Sequence, residues 1–401
     1  DRFCKTQGSI ADASNGDVAC DHYNRWAEDL DLIANLGVGH YRFSVAWPRV
    51  QPLGSGSWNE EGMAFYERII TGLTERGVAA HITLNHWDLP QALQDTGGWN
   101  NRDTCSHFVR YAEEIARRFG NRVASIVTHN EPWVVAVLGH EHGIFAPGLK
   151  SRATAMQVSH HLLLSHGMAV KAMRQLNIRA ELGLVLNLSP IYPATQAKED
   201  LAKARLDDGL ILRWYMDPVY KGHYPTDVWQ HLGADAPNVE PGDLDAISQP
   251  IDFLGVNYYT RNFSSSGNPW DATASGAKVT DMGWEVYPQG LTELLERLHA
   301  DYAPKALVVT ENGAAFKDEL IDGQVHDAER LDYFRTHIVA CLQALKNRVP
   351  LKGYFAWSLM DNFEWASGYA KRFGLVYVDY ATQQRLLKDS ARWYKAFLGS
   401  N

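Results

Sequence analysis

The sequence predicts a parallel α/β fold closed into a barrel, and three observations carry that expectation. Short apolar strands alternate with amphipathic helices, the helices stop at glycine, and the chemically unusual residues cluster just after strand ends. Amphipathic helices between short buried strands indicate βαβ construction. Barrel enzymes assemble their sites at the C-terminal ends of several strands. An open nucleotide-binding sheet would carry a glycine-rich phosphate turn instead, and the chain contains neither GxGxxG nor GxxxxGK[ST].

The first helix is read from Tyr23, Trp26, Ala27, Leu30, Ile33 and Leu36, apolar at spacings of three and four, with Asp21 as N-cap and Gly37 as stop. The run Tyr41 to Ala46 (YRFSVA) follows as a buried strand. The same unit recurs twice. A helix from Glu60 to Arg76 ends at Gly77 before the strand Ala80 to Leu84, and a helix from Asp103 to Phe119 ends at Gly120 before the strand Ala124 to Thr128. Further strands are predicted at Leu182 to Leu186, Phe253 to Asn257, Leu307 to Thr310 and Gly353 to Trp357, which makes seven. The stretch 263–280 reads as a long surface loop. With no Pro/Ser-rich linker or low-complexity segment, residues 1–401 are expected to form one domain.

Composition narrows the function. The 401 residues are 45% hydrophobic and 21% charged, which are globular proportions. A net charge of −9 argues against nucleic acid, whose binders present a basic face. No apolar run approaches the ~20 residues of a membrane span. The cysteines at 4, 20, 105 and 341 have neither metal-ligand nor disulfide-framework spacing, so reduced thiols are expected. The chain opens on Asp1-Arg2-Phe3 without Met or a signal-like segment, and a cytoplasmic location is the expectation. Thirteen Trp are many. They suit either a large core or a sugar site, where a flat indole covers the apolar face of a pyranose.

Two segments stand out. THNEP (Thr128 to Pro132) and VTENG (Val309 to Gly313) each place a glutamate, Glu131 and Glu311, at the end of an apolar strand. Glycoside hydrolysis with retention needs two carboxyl groups about 5–5.5 Å apart, one protonated and one ionised. A lone strand-end glutamate is as readily a salt bridge at a barrel rim. Two of them, each beside an asparagine, point to chemistry.

Together with YRFS, NHWDLPQAL, GVNYY and WSLMDNFEW, occurring in this order, these segments resemble glycoside hydrolase family 1, the β-glucosidase family, over essentially the whole chain. The resemblance implies a (β/α)8 TIM barrel and a retaining β-glycosidase acting on terminal β-D-glucosyl residues, with galactosyl and fucosyl tolerance. It implies Glu131 as acid/base and Glu311 as nucleophile. Arg42, Asn130, Asn257 and Tyr259 would support them: Arg42 and Tyr259 favour an ionised Glu311, and Asn130 holds the sugar 2-hydroxyl. The sugar would be held by His86, Trp87, Glu364 and Trp365, with Trp357 beneath the ring. Trp133 would flank the leaving group, with Leu138 and Phe373 at the mouth. His86 as a core histidine and Trp357 as a barrel plug are the bland alternatives. His160 and His161 read as helix packing. No metal or cofactor is expected, since double displacement requires neither. The expected partner is a β-glucoside or cello-oligosaccharide, with no nucleic acid and no membrane; a homo-oligomer is left open.

A carboxylate at Glu364 would repel a 6-phosphorylated sugar, and an intact Glu131 fits O-glycosides, since thioglucoside-cleaving relatives carry Gln there. The resemblance also implies a first strand ahead of the DRFC segment, bearing a glutamine that shares the sugar with Glu364. Nothing in the sequence matches it, so a barrel with its first β-strand missing is expected. That leaves two other readings: a catalytically impaired sugar-binding remnant, and a 6-phospho-β-glycosidase.

Overall fold

The computed structural model describes residues 2–269, 272, 273 and 275–400. Of the predicted 263–280 loop, residues 270, 271 and 274 lie outside these. A short strand, Asn262–Ser264, occupies its start and pairs with Ile191–Pro193.

Seven strands form one sheet: β1 (His40–Ser44), β2 (Ala79–Asn85), β3 (Ser125–Asn130), β4 (Glu181–Asn187), β5 (Phe253–Asn257), β6 (Leu307–Asn312) and β7 (Leu351–Ala356), hydrogen-bonded in that order. The pairs β1–β2, β2–β3, β3–β4 and β6–β7 are parallel. Sequential strand order with a helix in each connection is the singly wound pattern of the (β/α)8 TIM barrel class. All seven predicted strands are present, with ends displaced by up to a few residues. β1 stops at Ser44, before Val45 and Ala46, because Ala46 already caps the short helix Trp47–Val50. β7 stops before Trp357.

The chain divides into two compact units. The first comprises residues 2–6, Gly39–Leu186 and Arg213–Gly255. Its β3 is buried along its whole length, as a strand covered on both faces must be. Helix α1 (Asp103–Phe119) buries Cys105, Phe108, Ala112, Ile115 and Phe119, the three-and-four spacing read in the sequence. Its Tyr111 hydroxyl lies 3.0 Å from two carbonyl oxygens, those of Val45 and Leu84, at the ends of β1 and β2. Trp47 stacks on Tyr111 with centroids 4.9 Å apart, and Trp99 meets Phe108 edge-on. Trp47, Trp99 and Trp214 are fully buried, so for these three the core reading of Trp holds. Helix α2 (Arg152–Gln175) buries His160 and His161. His160 bonds Tyr224 and Asp243, and His161 bonds the Trp99 carbonyl, which is the packing role expected of them.

The second unit comprises Gln7–Val38, Asn187–Leu212 and 256–400. Leu36, Phe316, Tyr333, Phe334, Leu375, Ala391 and Tyr394 form a core cluster in it. The first helix of the chain, His22–Asn35, corrects one expectation. Asp21 occupies the N-cap position, but its backbone is left-handed (φ 51°) and its side chain makes no cap bond. An N-cap works from extended φ/ψ; here the carboxylate accepts from Asn24 Nδ2 at 2.6 Å instead. Gly37 ends the helix at φ +75°, a conformation that costs glycine nothing. β5 is shared: Phe253, Leu254 and Gly255 belong to the first unit and Val256 and Asn257 to the second. Among the described residues no helix is long and apolar enough to cross a membrane. The four cysteines are free, Cys105 and Cys341 buried and Cys4 and Cys20 half-buried.

Candidate active site

In the first unit Arg42 lies within β1 and His86 and Trp87 just beyond β2, and Asn130, the last residue of β3, joins them. Its Oδ1 accepts from Arg42 Nη2 at 2.7 Å, its Nδ2 donates to His86 Nε2 at 3.3 Å, and its carbonyl accepts from Trp87 Nε1 at 2.9 Å. Burial, with the Arg42 guanidinium adding to it, pulls His86 down to about 3. The ring is therefore neutral, and its Nε2 is free to accept from Asn130. His86 is thus a buried ring with a polar partner. The His86 and Trp87 rings are tilted, with centroids 5.0 Å apart.

Glu131 is buried, directly beyond β3. Its amide donates to the Val185 carbonyl of β4 at 2.9 Å, and its φ is +51°. Trp87 shares this handedness with φ +83°. Positive φ in large residues costs about 1–3 kcal/mol each and concentrates at functional sites. Trp133 is half-buried at the start of the helical stretch Val134–Glu141, which also carries Leu138.

In the second unit Glu311 is buried near the end of β6. Tyr259 donates its phenol proton to Glu311 Oε2 at 2.6 Å, which orients the Glu311 carboxyl group. The Glu311 carbonyl accepts from the Tyr258 amide at 2.9 Å, and Asn257 Oδ1 accepts from Thr310 Oγ1 at 2.7 Å. Asn312 is held on three sides: it donates to the Tyr258 carbonyl and to the Tyr333 hydroxyl, and accepts from Tyr354. Gly313 allows the next approach, because a Cβ there would lie 1.7 Å from the Trp357 carbonyl oxygen.

Trp357 donates its amide to the Asn312 carbonyl at 2.8 Å, and its ring is half-buried. Glu364 and Trp365 follow in a tight turn, in which the Glu364 amide bonds the Gly368 carbonyl and Trp365 has φ +45°. Burial and the nearby negative charge of Glu311 push the Glu364 carboxyl up to about 8. Phe373, expected at the mouth, is buried and packs edge-on against Tyr259 at 6.2 Å. Trp284, which no sequence motif singled out, lies 5.2 Å from the Tyr259 ring. It stands in an ordinary-looking loop, and only its packing on Tyr259 reveals it.

Thus in one unit Arg42, His86 and Trp87 converge on Asn130, the residue before Glu131, and in the other Tyr259 and Glu364 neighbour the Glu311 carboxyl group. The description "Glycosyl hydrolase family 1" matches residues 1–401. The chain belongs to glycosyl hydrolase family 1. Beta-glucosidase A of Acetivibrio thermocellus is 48% identical, the match covering 100% of this chain and 92% of that protein. A bifunctional β-D-glucosidase/β-D-fucosidase of Bifidobacterium breve is 42% identical, covering 100% and 92%. The solved family 1 β-glucosidase of Thermotoga maritima in complex with isofagomine lactam superposes with a TM-score of 0.96 at 42% identity, covering 100% of this chain and 92% of that one. This family 1 member is therefore similar to β-glucosidases throughout its length.

Proposed function

We propose that this family 1 hydrolase is a retaining β-glucosidase with Glu131 as acid/base and Glu311 as nucleophile. The observation that carries the reading is the Tyr259–Glu311 hydrogen bond, which orients a buried strand-end carboxyl group in a chain of this family. In the first step Glu131 protonates the glycosidic oxygen while Glu311 attacks the anomeric carbon; the aglycone leaves as an alcohol and a glycosyl ester remains on Glu311. In the second, Glu131 takes a proton from water, the water oxygen attacks the same carbon, and Glu311 is released. Two inversions give net retention. Arg42, Asn130, Asn257 and Tyr259 support the pair Glu131 and Glu311, Tyr259 by its hydrogen bond to Glu311 and Asn130 by holding the sugar 2-hydroxyl. His86, Trp87, Glu364, Trp365 and Trp357 hold the sugar, and Trp133 and Phe373 border the leaving group. The substrate is a β-glucoside or cello-oligosaccharide, with galactosides and fucosides as secondary substrates. The four free thiols suit a cytoplasmic setting. Residues 1–401 act as one glycosidase domain, a reading supported by strand β5 belonging to both units.

The test is turnover of nitrophenyl β-glucoside by the wild type, its loss in Glu311→Ala, and azide rescue of that variant to an α-glucosyl azide. In Glu131→Ala azide should instead give the β-azide, because the nucleophile remains. A wild type that binds glucose by calorimetry yet releases no nitrophenol overturns the proposal.

A further inference from the structure

The second unit contains a closed set of buried charges that the proposed chemistry does not use. Lys388 is fully buried, and its Nζ stands 2.6 Å from Asp318 Oδ2 and 2.7 Å from Asp361 Oδ1. Asp318 also receives two hydrogen bonds from Arg330, which binds Asp327 and the carbonyls of Ala314 and Arg372 as well. Asp361 takes the amide of Gly374 on one oxygen and Arg372 Nη1 on the other. The charged groups facing Lys388 are therefore Asp318 and Asp361 in contact, with Arg330, Arg372 and Asp327 behind them. Three cations meet three carboxylates, so the set is neutral.

Its attachment points matter more than its charge. Ala314 lies three residues beyond Glu311, and Asp318 closes the same segment. Asp361 lies three residues before Glu364, and Arg372 precedes Phe373. One ammonium thus ties the segment that leaves the nucleophile to the turn that carries Glu364 and Trp365. We propose that Lys388 is a positioning residue that fixes Glu364 relative to Glu311 by clamping Asp318 to Asp361. Without it Arg330 and Arg372 remain against three carboxylates, and one negative charge is left uncompensated between Asp318 and Asp361. They separate or one takes up a proton, and the turn bearing Glu364 shifts. The inference rests on the reading of Glu364 as a sugar-holding residue.

The experiment compares wild type, Lys388→Met and Lys388→Met/Asp318→Asn on nitrophenyl β-glucoside between pH 5 and 8, with near-ultraviolet circular dichroism to confirm folding. At pH 7.5 the single variant should raise KM about tenfold while kcat falls less than about threefold, since sugar holding is disturbed more than the reacting carboxylates. The KM gap should narrow towards pH 5, where a proton replaces the lost ammonium between the carboxylates. The double variant restores charge balance, so its KM should return to within about threefold of wild type and lose the added pH dependence. If the single variant does not fold, the double variant decides alone: a folded double variant with KM still more than about tenfold high overturns the inference. So does a folded Lys388→Met with wild-type KM at every pH, or one losing only kcat. An inactive wild type would overturn the β-glucosidase reading itself, whereas an active wild type beside an unchanged Lys388→Met removes this inference alone.

Discussion

At the scale of single residues, the site is governed by which protonation state each neighbour stabilises. Tyr259 gives the proposed nucleophile, Glu311, one hydrogen bond. Hydrogen bonds to charged groups contribute about 1.5–3 kcal/mol, so Tyr259→Phe should lower kcat on an aryl β-glucoside by about ten- to a hundredfold with the fold intact, as steady-state kinetics would check. Glu364 is pushed from its ordinary 4.5 up to about 8, by burial first and by Glu311 second. A carboxyl raised on folding contributes stability that is full below its unfolded value and is lost as pH rises through the folded one. The window runs from about 4.5 to about 8. Melting temperatures across it should fall more for the wild type than for Glu364→Gln, which carries no titrating group there; parallel curves would exclude the effect. The sequence disclosed Glu131, Glu311, Asn130 and Tyr259 because their motifs are local. It could not disclose Trp284 or Lys388, whose roles come from neighbours far along the chain.

At the scale of elements, the strand ends are held by close backbone contacts and by side chains reaching across the ladder. Gly313 sits where any Cβ would collide with the Trp357 carbonyl. A backbone oxygen cannot swing aside as a side chain would, so Gly313→Ala should destabilise by about 1–3 kcal/mol or more and displace Trp357. Denaturant unfolding and intrinsic tryptophan fluorescence would register the two effects. Tyr111 works differently, bringing one hydroxyl to two strand-end carbonyls. Tyr111→Phe leaves those oxygens short of a donor and should cost about 1–3 kcal/mol, with little change in KM. Helix and strand positions were legible because apolar spacing at three and four, or in short runs, survives whatever the tertiary context. Their ends were less so. β1 and β7 stop where the next element, or the approach to Gly313, takes over the backbone. Asp21 carries the right side chain for a cap on a backbone turned the wrong way.

At the scale of the whole molecule, two compact units share one strand, β5. The single-domain proposal predicts that thermal unfolding is a single transition. Far-ultraviolet circular dichroism and tryptophan fluorescence should then give coincident curves, and two separated transitions would contradict the single-domain reading. The thiols are free, so adding a reductant should leave the melting temperature unchanged.

By itself the sequence determined the strand and helix succession, the class of the fold and the two strand-end glutamates, because these depend on local periodicity and short motifs. Tertiary structure alone decided what each glutamate's neighbourhood does to it. Tyr259 comes to Glu311 from 52 positions away, and Lys388 joins Asp318 to Asp361 across 70 and 27. Those distances in sequence carry no pattern to read. Hydrogen bonding and burial act through space, and only the folded chain says which groups share it.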